Sequence, residues 1–352
     1  MRTVYVVVPD GVDDPLRPSG GNTYDRHLCD ELGSQGWTVH ECPVGGFWGL
    51  PDAASFAALE GALRQIPDDA VVLLDGLIAS TAPAVLARQA SRLRLIVLVH
   101  MPLGHRPADD AARQREREVL TTATAVVTTS AWARRRLLEL YDLPAHRVRV
   151  AEPGAPAARL VTGTEAGEAL LCVGAVTFEK GHDVLLEALE SIAAPSWHCT
   201  CVGSLDRDPD FVESLRRRSL NGGSGERVSF PGPRTGADLD RSYASADLLV
   251  LASRAETYGM VVTEALARGL PVVAAEVGGV GEALGEDDSG AQPGMLVAPE
   301  DPVALADALS TWLGDAELRA RLRRSAAQRR ESLPRWATTA SVVAGVLAEA
   351  SL

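Results

Sequence analysis

The chain has 352 residues, 46% hydrophobic and 23% charged, which is the balance of ordinary soluble globular domains and a length that predicts about two of them. A formal net charge of −13 argues against nucleic acid as a partner, since phosphate contacts need a basic surface, and gives no help to binding anionic lipid. Five cysteines, an odd number with no Cys-x-x-Cys pair, indicate neither a disulfide framework nor a zinc site; Cys172, Cys199 and Cys201 lie in apolar strand-like runs and read as small core residues.

The N-terminal run MRTVYVVVPDG is too short for a signal peptide, and Asp75 interrupts the best apolar stretch, so the expectation is a cytoplasmic protein with no stable membrane anchor. The first strand is predicted at 3–8. Gly20 and Gly21 then stand just before a helical pattern at 22–35. They do not complete G-x-G-x-x-G, so no nicotinamide dinucleotide is expected, but paired glycines before a helix admit a diphosphate or a sugar. Strands follow at 37–41, 70–75, 93–100, 124–129 and 147–151, with helices at 79–91 and 131–140, the latter opened by Ser130 as N-cap. His100 closes the strand LRLIVLVH and is a candidate for a ligand-facing residue. The charged run 113–119 reads as a solvated helical face.

The stretch 152–168, rich in Gly, Pro, Ala and Thr, reads as a linker. Beyond it strands are predicted at 168–174, 197–203, 227–230, 247–251, 271–275 and 294–297, with helices at 181–193, 257–268 and 301–313. The run 317–331 reads as a second solvated face. Residues 335–350 form a helical run after Pro334. Continuous apolar strands alternating with helices mean α/β architecture with parallel sheets covered on both faces. Twelve strands exceed one comfortable sheet. The prediction is therefore two Rossmann-like, doubly wound domains, 1–155 and 156–334, facing an interdomain cleft, with 335–352 crossing back to the first.

The chain has 33 arginines and a single lysine, Lys180. It sits where the strand LLCVG gives way, through AVTFEKG, to a helix. A compact ammonium at such a loop suits a phosphate as a point charge. Glu256 and Glu264 are separated by seven residues in SRAETYGMVVTEALARGLPVVA. If the helix starts near Thr257, the amides of Thr257, Tyr258 and Gly259 form an anion site at its N-terminus, with one acid before the anion and the other two turns beyond it. The plainer reading is a capping acid and a solvated one. Gly278 and Gly279 invite a close ligand or make an ordinary turn.

The chain resembles the family-4 retaining glycosyltransferases of GT-B fold over nearly its whole length. The resemblance rests on Glu256-x7-Glu264 and VGAVTFEKGHDVLLEAL, supported by Gly20-Gly21, His100, VVTTSAWARRRLLE, EPGA at 152–155 and GGVGE at 278–282. It implies that Lys180 binds the donor diphosphate, that Glu256 holds the transferred sugar, and that the amides of Tyr258 and Gly259 hold the distal phosphate next to Met260. Glu264 would bind ribose, Gly21 would approach the diphosphate and His100 would lie beside the sugar ring. No metal or other cofactor is implied. The chain departs from the family at Ala175, where an arginine is usual; Arg234 and Arg254 are candidates to replace it. Pro156 and Gly281 also depart from it.

The resemblance implies transfer of a hexose with retention, from a nucleoside diphosphate sugar to a hydroxyl of a small-molecule acceptor; UDP is favoured over GDP on its frequency within the family, and no residue decides between them. With no acid marked as a nucleophile, the expectation is front-face attack in which the leaving phosphate takes the acceptor's proton. The alternatives are an epimerase of the same fold and a catalytically poor sugar-nucleotide-binding protein. Candidate acceptor loops are 9–22, 43–52, 75–80 and 101–110, with Trp48, Asp75 and His105.

Overall fold

The computed structural model describes residues 2–105, 109–193, 196–221 and 225–351, so residues 106–108 of the candidate loop 101–110 lie outside the described residues. The chain divides into two compact units: residues 1–13, 20–154 and 334–352 form the first, and residues 14–19 and 155–333 the second. No helix among the described residues is long and apolar enough to cross a membrane.

The first unit carries β1 (Arg2–Pro9), β2 (Trp37–Val44), β3 (Val71–Asp75), β4 (Arg94–Val99), β5 (Ala125–Thr128) and β6 (Val148–Val150), all parallel, in the order β2-β1-β3-β4-β5-β6. The order reverses between β1 and β3, where a doubly wound sheet opens a crevice at its carboxyl edge. Every residue of β3 is buried, as a strand covered on both faces requires. The helix expected over 79–91 is two helices, Gly76–Thr81 and Pro83–Gln89. Pro83 has no N–H to donate and biases Ala82 away from the helical region, so Ala82 adopts φ −122° and ends the first helix. Helix Trp336–Ala350 packs in this unit: Thr339 Oγ1 donates to Glu152 O at 2.6 Å, and Trp336 stacks on His27 at 4.6 Å. That packing braces helix Gly20–Ser34.

The second unit carries β7 (Ala169–Val173), β8 (His198–Val202), β9 (Val228–Gly232), β10 (Leu248–Leu251), β11 (Val272–Ala275) and β12 (Gly294–Val297), again all parallel, in the order β12-β11-β10-β7-β8-β9. Here the reversal falls between β7 and β10. The loops leaving these strands interlock, and glycine is what permits it. A Cβ on Gly181, at φ +65°, would stand 2.0 Å from Ala252 O; one on Gly278, at φ +57°, would stand 1.5 Å from Glu256 O. The neighbour that Gly278 approaches is thus the Glu256 backbone.

Gly181→Ala should therefore lower stability by about 3 kcal/mol or more, from left-handed strain plus the clash. The melting temperature should drop by roughly 6–12 °C. An unchanged melting temperature would show that the loops after β7 and β10 do not interlock in this way.

Candidate active site

The carboxyl edge of the second sheet gathers most of the residues singled out from sequence. Lys180 ends a single 3-10 turn, Phe178–Lys180, and Gly181 redirects the chain into helix His182–Glu190. Glu256 lies on the loop after β10, the strand next to β7. Lys180 Nζ donates to Glu256 Oε1 at 2.5 Å, and Ser253 Oγ donates to the same oxygen at 2.8 Å. The Glu256 side chain is 10% exposed and that of Lys180 30%. The two residues, 76 apart in sequence, meet where the strand order reverses.

The helix beyond Glu256 starts later than expected. It spans Met260–Leu266, and Gly259 at φ +90° is its N-cap. The amides that open it are those of Met260 and Val261; Thr257 and Tyr258 belong to the loop. Glu264 is not a solvated acid. Tyr243 Oη donates to its Oε2 at 2.7 Å, and burial pushes its carboxyl up, against the hydrogen bond from Tyr243 and the charge of Arg268.

The two candidates to replace the missing arginine part ways. Arg254 is committed to bracing the Lys180 turn: it grips Asp183 through two hydrogen bonds of 2.8 Å, donates to Phe178 O at 2.7 Å, pairs with Glu300 at 3.0 Å and lies 3.8 Å over the Phe178 ring. Arg234, just past β9, donates to Ser242 Oγ at 2.9 Å and has no carboxylate partner among the described residues. It lies two strands from β7, about 10 Å along the sheet edge.

In the first unit, His100 follows β4 and is fixed from several sides. Its Nε2 is 2.9 Å from Asp25 Oδ1 and 3.7 Å from Asp75 Oδ2. Tyr24 meets it edge-on at 5.2 Å. A Cβ on Gly21 would stand 3.2 Å from its Cδ2, so Gly21 leaves room for the imidazole. Asp75 also caps helix Gly76–Thr81, accepting from Leu77 N at 2.7 Å. Burial alone would drive the imidazole toward its neutral form, but the charge of Asp25, the hydrogen bond to it and the charge of Asp75 hold its pKa above the usual value. Burial and the neighbouring Asp25 push Asp75 up to about 6. The donor atoms of Asp25, Asp75 and His100 lie within 4.8 Å of one another, a set that suits a hard divalent cation; a protonated imidazole between two carboxylates supplies that positive charge itself.

Asp25 is a residue that sequence reasoning missed. The signal was an acid within the stripe Tyr24, Asp25, Leu28, Leu32, the face that helix Gly20–Ser34 buries. Glu116, within the run read as solvated, is fully buried. It accepts from Leu103 N at 2.9 Å, Gly104 N at 2.8 Å and Tyr141 Oη at 2.5 Å, and so ties the loop after His100 to helix Asp110–Thr122. Arg319, in the other charged run, is also buried and donates to Trp312 O and Leu313 O. Trp48, assigned to a candidate acceptor loop, is buried and donates to Val44 O at 3.2 Å. Gly20 opens helix Gly20–Ser34.

Residues 4–154 match the model of the glycosyl transferase 4-like domain, and residues 162–329 that of the glycosyl transferases group 1. The D-inositol 3-phosphate glycosyltransferase of Salinispora tropica is 32% identical over 293 residues, which are 75% of this chain and 59% of that protein. The chain spans about three fifths of the length of the curated relatives it matches. Among solved structures, sucrose-phosphate synthase from Thermosynechococcus elongatus superposes with a TM-score of 0.81 at 20% identity, covering 99% of each chain. Anabaena HepE in complex with UDP-glucose does so with a TM-score of 0.80 at 19% identity, covering 99% of this chain and 100% of that one. At these identities the likeness shows the fold.

The charge cluster of the first unit has a measurable signature. The titrations of Asp75 and His100 both respond to the neighbouring Asp25 carboxylate. The folded protein holds the His100 proton more tightly than the unfolded chain does. Its contribution to stability is therefore complete below the unfolded imidazole pKa of about 6.5 and is lost as pH rises through the raised folded value. Asp75, also raised, contributes stability that is complete below about pH 4 and fades as pH passes about 6. Asp25→Asn should lower the pH at which His100 titrates, followed by NMR of the ring protons, because it removes the charge that favours the imidazolium; an unmoved titration would show that Asp25 does not set the state of His100.

Proposed function

Because the chain belongs to the family-4 glycosyltransferases, we propose that it transfers a hexose from a nucleoside diphosphate sugar to a hydroxyl of a small-molecule acceptor, with retention of configuration. The observation that carries this is the Lys180–Glu256 pair at the reversal point of the second sheet, where one cation and one nearly buried carboxylate share an edge with the amides that open helix Met260–Leu266.

In this reading the diphosphate takes Lys180 as its counter-cation, with Arg234 as the further cation in reach of the same edge. The developing charge of the leaving diphosphate is then met by groups already in place. The carboxylate of Glu256, released from Lys180, accepts hydrogen bonds from the hydroxyls of the transferred sugar. Thr257, Tyr258, Gly259 and Met260 bring backbone amides to the distal phosphate. Glu264, oriented by Tyr243, holds ribose hydroxyls. Residues of the first unit enter this reading only through the family resemblance, Gly21 as open to a diphosphate and His100 as a partner for a sugar hydroxyl. Neither glutamate is needed as a nucleophile, so attack comes from the face the diphosphate leaves, and a phosphate oxygen takes the acceptor's proton. UDP is the favoured nucleotide; the name of the HepE complex, with UDP-glucose on the same fold, supports that choice. The reading assigns no metal to the leaving group.

One observation favours sugar-nucleotide binding without efficient transfer. Ala175 replaces a cation usual in the family, and Arg254, one candidate to stand in for it, is consumed by Asp183, Glu300 and Phe178 O. Calorimetry of a panel of nucleoside diphosphate sugars, without metal, separates the readings. Micromolar binding of one donor followed by its slow hydrolysis supports the transferase; tight binding with no hydrolysis and no transfer supports the binder.

Two substitutions test the assignments. Lys180→Met should cut turnover by about 100-fold or more, the scale of removing one preorganised charge from a transition state, while the melting temperature stays near wild type. Equal activity would sink the role given to Lys180. Glu256→Gln should act in opposite directions on two readouts. With no carboxylate competing for Lys180, the nucleoside diphosphate alone should bind roughly tenfold tighter, about 1.4 kcal/mol, while sugar transfer falls. Weaker diphosphate binding in this variant would mean that the pair is not exchanged on binding.

A further inference from the structure

Away from the proposed donor edge, the interior of the second unit brings together side chains that the glycosyltransferase chemistry does not use. Cys172 on β7 and Cys201 on β8 are direct cross-strand partners, and Cys199 lies two residues earlier on β8, on the same face. Helix His182–Glu190 covers that face and places His182 over the thiols. All four residues are at most 2% exposed. Cys172 Sγ is 3.7 Å from His182 Nε2, and the sulfur and nitrogen donors of Cys172, His182 and Cys201 all lie within 4.8 Å of one another. Cys199 is buried beside them on the same strand face.

We propose that Cys172, Cys201 and His182 bind a zinc-class divalent ion, Cys199 on the same face being the buried thiol that would turn toward them to complete a four-coordinate shell. Zinc takes sulfur at about 2.3 Å and imidazole nitrogen at about 2.0–2.1 Å, and tetrahedral angles then put sulfur and nitrogen donors about 3.5 Å apart. The observed 3.7 Å between Cys172 and His182 is already at that separation. The donors are soft, buried and free of carboxylate, the set that selects zinc over magnesium, manganese or calcium. A second observation points the same way. His182 Nδ1 is buried with no hydrogen-bond partner, and Nε2 faces only a thiol, a poor exchange for the water the imidazole gave up. A coordinate bond at Nε2 would offset that loss. Binding involves no change of oxidation state. Each coordinating thiol gives its proton to solvent as its sulfur bonds the metal.

The site would be structural. It would join β7, β8 and the first turn of helix His182–Glu190, the two flanks of the loop that carries Lys180, two residues from His182. The two Cys-containing strands and the histidine are separated in sequence by 10 to 29 residues with no repeated spacing, which is why the chain reads as having no zinc motif.

The test uses the full-length chain without an affinity tag, produced in minimal medium with cobalt in place of zinc. About one cobalt per chain by elemental analysis, with the strong near-ultraviolet absorption of thiolate-to-cobalt charge transfer, is the expected result. In Cys172→Ser/Cys201→Ser, near-isosteric with wild type, occupancy should fall at least tenfold. His182→Gln should keep the thiolate band but alter the visible ligand-field bands. If the double variant does not fold, the wild-type spectrum still decides. Cobalt without a thiolate band places the ion elsewhere and overturns the proposal, as does the absence of cobalt. Full occupancy in a folded double variant overturns it as well. None of these readouts uses transferase activity, so the proposal stands or falls separately from the function proposed above.

Discussion

In a sheet whose strands all run the same way, every loop that leaves a carboxyl end is delivered to one edge, and where the strand order reverses two such loops diverge and leave room between them. Both units obey this constraint, and the residues with chemistry to offer sit at the two reversals. Between β7 and β10 the room is taken by the Lys180–Glu256 pair. Beside the β1 and β3 reversal it holds Asp25, Asp75 and His100, from the helix after β1, the end of β3 and the residue after β4. Neither constellation is local in sequence. Each exists because parallel pairing brings the ends of distant strands level.

The same edge must also be held still. In the second unit backbone packing does this: Gly181 lies against Ala252 O, Gly278 against Glu256 O, and Arg254 donates to Phe178 O while gripping Asp183. The loops after β7, β10 and β11 therefore brace one another, and the orientation of Lys180 and Glu256 follows from main-chain contacts that no side-chain substitution nearby can replace. In the first unit the bracing is electrostatic. The buried carboxylate of Glu116 collects the amides that follow His100, and Asp75 caps the helix beside it. Charges buried for this purpose are costly unless every lone pair is occupied, and Glu116 accepts from two amides and from the hydroxyls of Tyr141 and Ser80.

The twelve strands and their alternation with helices were legible in the sequence because buried parallel strands read as continuous apolar runs, and strands form at all twelve predicted places. What escaped was whatever depends on partners far along the chain. Glu116 and Arg319 read as solvated because helical periodicity alone does not say that Tyr141, Ser80 or the Trp312 carbonyl will be waiting for them. Asp25 looked like one more helical acid until β4 brought His100 to it. The helix after Glu256 was placed three residues early because Thr-Tyr-Gly continues the apolar pattern plausibly, and only the left-handed backbone of Gly259 shows that the turn is not yet complete.

The lone lysine takes its meaning from what the arginines do. Arg92 donates to the carbonyls of Leu63 and Ile66, Arg330 to those of Ala267 and Ala158, Arg319 to those of Trp312 and Leu313. Each uses the fixed N–H directions of the planar guanidinium to bind two backbone groups at once, a task an ammonium performs poorly. Arg254 does the same beside the site, with a carboxylate on one side and a carbonyl on the other. Lys180 is placed differently. It ends a single turn with its side chain 30% exposed and makes one strong contact, to an oxygen that Ser253 also holds. A fork there would be fixed by its second donor; a point charge on a flexible stem can be handed from Glu256 to an incoming anion without breaking anything else. Among the described residues the geometry thus sets cations that hold the fold, such as Arg92, Arg319 and Arg330, apart from Lys180, which can change partners, and the exchange of its partner is the step on which the proposed chemistry turns.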